Sequence, residues 1–125
     1  MNQYTACGNL ADTPLLRTTP SGRPVTNFLL IVDERLKKNG PRAQMRKERT
    51  IAHRIPVVAW GDLAETVTTW LQKGSKINLM GKLQPRKYKD KSGITHDTFE
   101  IVAEDIEFLS GIKHNSEVFE EAVSA

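Results

Sequence analysis

The chain has 125 residues, with two Trp, two Tyr and four Phe and a single cysteine. It is 38% hydrophobic and 26% charged, which supports one folded domain and excludes a chain disordered by composition. The net charge of +3 hides an asymmetry: positions 1–96 carry 17 basic and 7 acidic side chains, and positions 97–125 carry 1 basic and 8 acidic. A basic body with an acidic end suits a polyanionic partner; an unevenly charged, solvated surface is the plain alternative. No apolar run approaches the roughly 18 residues of a membrane span. The start, Met1-Asn2-Gln3-Tyr4, has neither the charge nor the apolar run of a signal peptide. Cys7 has no intrachain partner, so a reducing, cytoplasmic setting is expected.

Residues 3–8 read as a short first strand. Residues 12–24 hold Pro14, Pro20, Ser21, Gly22 and Pro24 and read as turns, with Gly22 free to take φ > 0. Residues 25–32 (Val25, Phe28, Leu29, Leu30, Ile31, Val32) are apolar almost throughout and read as a strand covered on both faces. Periodicity is then lost over 33–50. Asn39-Gly40-Pro41 signals a loop, and positions 33–54 carry 8 basic against 3 acidic residues. A long, mobile basic loop is expected there.

Residues 51–60 read as a strand, with Pro56 demanding an edge or a side without a ladder donor. A helix follows. Asp62 is the expected N-cap with Glu65 three residues on, and Leu63, Val67, Trp70 and Leu71 form an apolar stripe. Lys73 suits the helix C-terminus and Gly74 is the expected stop. Residues 76–88 alternate: Ile77, Leu79 and Leu83 face one way, and Met80, Lys82, Gln84, Arg86 and Tyr88 the other. Asp90-Lys91-Ser92-Gly93 is a hairpin turn. Residues 94–109 return as a strand, bulged near Glu104-Asp105. Residues 111–125 form an acidic tail with Phe119 and Val123. Five strands with one helix between the third and fourth predict an all-β, closed five-stranded Greek-key barrel over residues 1–110, with an α+β sandwich as the alternative.

Catalytic signatures are missing. His53, His96 and His114 share no ligand spacing with one another or with Cys7, and no CxxC, HxxxH or HExxH occurs. No enzyme, no metal and no cofactor is expected. Cys7 is expected to be a small buried thiol in a strand, and His53 and His96 strand-surface residues. The carboxylates of Asp97, Glu100, Glu104, Asp105 and Glu107 are strung along one strand and read as solvated.

The positive signal is rings interleaved with cations. Lys82, Arg86 and Tyr88 share a face, with Lys87 and Lys89 beside them. Cations neutralise phosphates, and an open ring stacks on an unpaired base for about 1–3 kcal/mol whatever the sequence. A tyrosine lying against a lysine stem is the structural alternative. Trp60, at a strand end, is either a second stacking ring or a plug in the barrel. Trp70, Phe28, Phe99 and Phe108 are expected in the core.

These residues resemble the bacterial single-stranded DNA-binding proteins, over roughly residues 2–110. The pieces are Gly8-Asn9-Leu10; Thr19-Pro20-Ser21-Gly22 with Val25-Thr26-Asn27-Phe28; Ile55-Pro56-Val57-Val58-Ala59-Trp60-Gly61; Lys73-Gly74-Ser75; Gly81-Lys82-Leu83; and Arg86-Lys87-Tyr88 before Gly93. Their order and spacing are far more specific than any one piece. The resemblance implies an OB-fold that assembles, usually as a homotetramer, and wraps single-stranded DNA in replication, recombination or repair. By position it implies stacking by Trp60 and Tyr88 and phosphate contacts by Lys73, Arg86 and Lys87. It also implies a DNA-covering loop after Val32, which brings in Arg35, Lys37 and Lys38. Lys82 joins the list through its place on the face of Arg86 and Tyr88. Leu36 and Arg54 stand where the family usually carries further stacking aromatics; the guanidinium of Arg54 can still stack. Glu117-Val118-Phe119-Glu120-Glu121 stands where the family has a long linker and an acidic tip ending in Pro-Phe. The alternative function is a primosomal accessory barrel that bridges a helicase or its loader. Protein partners in replication or repair, a nucleoid-associated cytoplasmic location and no membrane complete the expectations.

Overall fold

The structure, a computed structural model, describes residues 1–36 and 49–113, with Leu36 and Arg49 described by backbone alone. Lys37, Lys38 and most of the basic loop lie outside the described residues, as do His114 and the tail with Phe119. The elements are β1 (Tyr4–Leu10), β2 (Arg17–Thr18), β3 (Pro24–Leu36), β4 (Arg49–Trp60), α1 (Gly61–Trp70), β5 (Lys76–Lys89) and β6 (Thr95–Ser110). The five long strands are those the hydrophobic pattern marks out. The addition is β2, a two-residue bridge inside the turn-rich stretch, paired to Val25 and Pro24.

The sheet runs β1-β5-β6-β4-β3-β2 and is closed by a second pairing of β1 with β3, at Asn9↔Ile31 and Leu10↔Leu30. One pairing is parallel: Val57↔Ile101 and Val58↔Val102 join β4 to β6. Pro56 falls just before that pairing begins, so its missing N–H interrupts no β4–β6 ladder. This is the expected OB-fold barrel with one helix, between β4 and β5.

Strand parity builds it. Thr26, Phe28 and Leu30 of β3, Val57 and Ala59 of β4, Ile77 and Leu79 of β5, and Ile101 and Ala103 of β6 are buried. Each large apolar side chain here contributes roughly 1.5–3 kcal/mol by leaving water. A one-residue slip would expose a whole set, so the register is fixed. The ladder is offset between Met80 and Gly81, where β6 carries an extra residue at Glu104, the bulge the sequence indicates. The helix closes the barrel with Ala64 and Val67, and Leu71 follows them into the core.

Several expectations change. The basic loop is shorter than its composition suggests: Asp33↔Ala52, Glu34↔Ile51, Arg35↔Thr50 and Leu36↔Arg49 extend the β3–β4 ladder. Backbone pairing needs no apolar pattern once a hairpin projects beyond the core. Residues 25–32 are covered on both faces only at Val25 and Thr26; Asn27 and Leu29 are exposed. Asp62 is not the cap. Trp60 holds the N-cap position without a side-chain bond, and Gly61 turns the chain into the helix with φ +64°, which favours glycine. The helix ends at Trp70, before Lys73 and Gly74. Lys113 instead serves its C-terminus, donating from its backbone N–H to the Trp70 carbonyl (2.7 Å) and from Nζ to that of Thr68 (3.1 Å). Trp70 is only half-buried and outside the core cluster. Phe99 is 54% exposed, because it lies on the hairpin beyond the barrel. Cys7 is exposed, since β1 turns it outward opposite Asn78. Among the described residues no helix is long and apolar enough to cross a membrane.

Gly81 marks the tightest strand approach: a Cβ there would run into the backbone carbonyl of Val102. Gly81→Ala is expected to destabilise the barrel by about 1–3 kcal/mol, read as a lowered midpoint in denaturant titration with an unchanged slope.

Candidate nucleic-acid interface

The parity that buries one face of β3 and β4 turns the other outward, where Val25 and Val58 are still covered. Val25, Asn27, Leu29, Ile31, Asp33 and Arg35 pair with Trp60, Val58, Pro56, Arg54, Ala52 and Thr50 on the outer face. Trp60, Arg54 and Arg35 therefore share that face, with Arg54 about 20 Å along the strand from Trp60. On β5 and β6 the outer set is Lys82↔Val102, Gln84↔Glu100, Arg86↔Thr98 and Tyr88↔His96. A cleft of about 480 Å³ joins the two, lined by Trp60, Asn27 and Val58 on one side, Arg86 and Glu100 on another, and Arg17 with Thr18–Pro20 on a third. An adjoining cleft of about 270 Å³ runs over Leu29 and Pro56 to Thr98 and Phe99. Trp60 and Arg86 thus line one cleft, and Tyr88 lies two residues beyond Arg86 on the same face of β5.

Other expected residues divide. Lys82 is exposed on the same face as Arg86 and Tyr88. Lys87 pairs with Asp97 and points to the opposite face of the hairpin. Lys73 sits on the turn after α1, where its backbone N–H donates to Thr13 Oγ1 (3.0 Å), and it lines neither cleft. Arg35 is exposed on the projecting β3–β4 hairpin.

Three contributors to the site are missing from the sequence reading. Arg17 donates from Nη2 to Asn27 Oδ1 (2.9 Å), which fixes a guanidinium at the cleft wall. The guanidinium of Arg23 lies over the Trp60 ring, 4.4 Å from its centroid. The turn places it there: the Thr19 N–H donates to the Arg23 carbonyl, and the Arg23 N–H donates to Thr19 Oγ1. Gly22 carries the positive φ (+86°) expected of it. Trp60 is therefore half-buried, neither a sealed plug nor a bare ring. The third is Glu100, read as solvated but with only 21% of its side chain exposed; its Oε2 lies 3.4 Å from Arg86 Nη1. The one local hint of Arg17 and Arg23 is that cations flank the Pro20-Ser21-Gly22 turn.

At the hairpin tip, the Tyr88 and His96 rings stack with centroids 5.1 Å apart and planes 20° from parallel. Asp90 Oδ1 accepts from the N–H groups of Ser92 (2.9 Å) and Ile94 (3.0 Å), and Oδ2 bonds His96 Nε2 at 2.7 Å. His96 first, and then the turn amides, hold the Asp90 carboxyl below its ordinary 3.8. Among the described residues no group of three or more His, Cys, Asp or Glu is arranged to hold a metal.

A carboxyl with a lowered pKa stabilises the folded turn fully above its unfolded value near 3.8. That stabilisation is lost as pH falls through the lowered value, below 3.8. The amide resonances of Ser92 and Ile94 should shift together in this acid window, and Asp90→Ala should abolish the transition.

The single-strand binding protein family matches residues 1–109. A single-stranded DNA-binding protein of Clostridium tetani is 37% identical over 118 residues, covering 93% of this chain and 76% of that protein. Single-stranded DNA-binding protein 3 of Clostridium acetobutylicum is 37% identical over 110 residues, with 87% and 71% covered. A single-stranded DNA-binding protein of Neisseria meningitidis is 35% identical over 117 residues, with 93% and 64% covered. With nearly the whole barrel matched and its outer face arranged as above, the chain belongs to the single-strand binding protein family.

Proposed function

We propose that this chain binds single-stranded DNA without sequence preference and protects it during replication, recombination or repair, without catalysis of its own. The observation that carries the reading is the cleft shared by Trp60, Arg17 and Arg86, with Tyr88 two residues beyond Arg86 on the same face of β5. Rings stack on unpaired bases of any identity, and the guanidinium groups neutralise the phosphates between them. A duplex keeps its bases stacked on each other and offers such rings nothing. Arg54, Lys82 and Arg35 extend the cationic track along the same face. The names carried by the relatives favour this reading over the primosomal accessory barrel.

The reading includes a homo-oligomer, with a tetramer favoured. One OB barrel covers about 4–16 nucleotides, so a long strand is protected best by several barrels around a symmetric core. Phe99 (54% exposed) and Leu83 (40%) flank a small apolar cleft with Tyr4, Ile55 and Pro56. A monomer leaves this surface in water. Burial already lifts the Tyr4 phenol above its usual pKa.

Titration with an oligothymidylate of fixed length should quench tryptophan fluorescence. Its log affinity should fall linearly with log salt, at about −0.7 per phosphate contacted. Trp60→Ala and Tyr88→Ala should each cost about 1–3 kcal/mol of binding. Equal or tighter binding to duplex DNA at moderate salt would defeat the proposal. Light scattering at micromolar concentration should report an oligomer; a monomer would defeat the assembly part alone.

A further inference from the structure

Tyr88 is about half exposed, at 49%, and the reason is directional. Its cross-strand partner is His96, and the imidazole lies flat against one side of the phenol ring. A centroid distance of 5.1 Å with a 20° interplanar angle is an offset stack, within the favoured range for ring pairs. With that side covered, the exposure of the phenol falls to its opposite side.

His96 is itself held. A carboxylate only accepts hydrogen bonds, so the 2.7 Å contact places a proton on Nε2, donated to Asp90 Oδ2. The turn has no need of this bond. Asp90 already caps it through Oδ1, with the N–H groups of Ser92 and Ile94 as donors, and its backbone closes it through Ile94 and Gly93. The second oxygen is spare, and it fixes the plane of the imidazole. A rigid turn thus sets Asp90, Asp90 sets His96, and His96 sets the ring.

We propose that His96, clamped by Asp90, is a positioning residue for nucleic-acid binding: it backs one face of Tyr88, so that the ring takes a single base on its open face. This rests on the reading of Tyr88 as a base-stacking residue. A phenol on an exposed strand otherwise samples several rotamers, and ordering it on binding costs free energy. Here that ordering is done in the free protein. The bound arrangement is a three-layer stack of base, phenol and imidazole, and the ring cannot slip between two successive bases. Backing by a flat ring is the required property, so phenylalanine can replace histidine, whereas alanine cannot.

The test measures oligothymidylate affinity for wild type, Tyr88→Ala, His96→Ala, His96→Phe and the Tyr88→Ala/His96→Ala pair. Proton spectra of the free proteins accompany it; with only two tyrosines, the Tyr88 ring signals are readily assigned. His96→Ala should weaken binding about three- to tenfold. His96→Phe should stay within about twofold of wild type, and His96→Ala should add nothing once Tyr88 is gone. The Tyr88 ring protons should move downfield in His96→Ala and stay upfield in His96→Phe. If His96→Ala does not fold, His96→Gln against His96→Phe makes the same comparison of no ring with ring. Wild-type affinity in His96→Ala beside a weakened Tyr88→Ala would overturn the proposal. So would losses that add in the double variant, which is the pattern of an independent phosphate contact. If Tyr88→Ala binds as wild type while Trp60→Ala is weakened, Tyr88 is no stacking residue and the proposal falls with it. If wild type does not bind oligothymidylate, the reading of the function fails, and the ring-proton shifts still decide whether His96 positions the ring.

Discussion

Period-two alternation along a closed sheet is the constraint behind the whole molecule. Once Phe28, Leu30, Val57, Ala59, Ile77, Leu79 and Ile101 are committed to the interior, their neighbours have to face outward. Trp60 is outside because Val57 and Ala59 are inside. Arg86 and Tyr88 are outside because Ile77, Leu79 and Gly81 set the parity of β5, and the offset at Met80 and Gly81 is absorbed by an extra residue on β6 rather than on β5. The parallel contact of β4 with β6 then brings the two outer sets together, so that Trp60 of one hairpin and Arg86 of the other line one cleft. The core thus determines the interface, and Val25, Val58, Phe28 and Val57 reach the floor of its clefts.

Four polar groups of this surface are partnered before any ligand arrives. Arg17 is bonded to Asn27, Arg86 lies near Glu100, Arg23 covers Trp60 and His96 backs Tyr88. Such pairs at a wet surface are weak, typically up to about 1 kcal/mol. They orient the groups, and the three arginines stay open to a competitor. A phosphate drawn to Arg86 competes with a carboxylate 3.4 Å away, at the outer limit of a hydrogen bond. Glu100 also tempers the field of the cleft, since a carboxylate in its lining repels a phosphate and leaves room for a neutral base beside Trp60.

Much of this was legible in the sequence, and the residues show why. The five long strands follow from apolar alternation, the bulge at Glu104-Asp105 from its interruption, and the outer face of β5 from the spacing of Lys82, Arg86 and Tyr88. What escaped depends on contacts distant in sequence. Phe99 reads as core by composition, yet its strand outruns the barrel. Asp62 has the chemistry of a cap, yet Gly61 turns the chain so that Trp60 occupies that position. Lys113, 43 positions after Trp70, serves the helix end assigned to Lys73. Arg23 could not be linked to Trp60 before Val25 was known to pair with that residue. The same holds for Glu100, one of a row of carboxylates until its cross-strand position beside Arg86 was fixed.

The two rings differ in a way that bears on how a flexible polymer is held. The partner of Trp60 is a long, fully charged side chain from a neighbouring turn, able to swing aside and meet a phosphate without leaving the site. The partner of Tyr88 is a short imidazole, fixed by a hydrogen bond and unable to follow the ligand. On the proposed reading, a strand arriving at the hairpin tip would meet a surface already set, and at the barrel end one that rearranges. Preorganisation lowers the entropic cost of the first contact, and a movable cation lets the second accommodate whatever spacing the backbone presents. If the chain accepts any sequence, as proposed, one fixed ring and one adjustable ring answer the problem better than two of either kind.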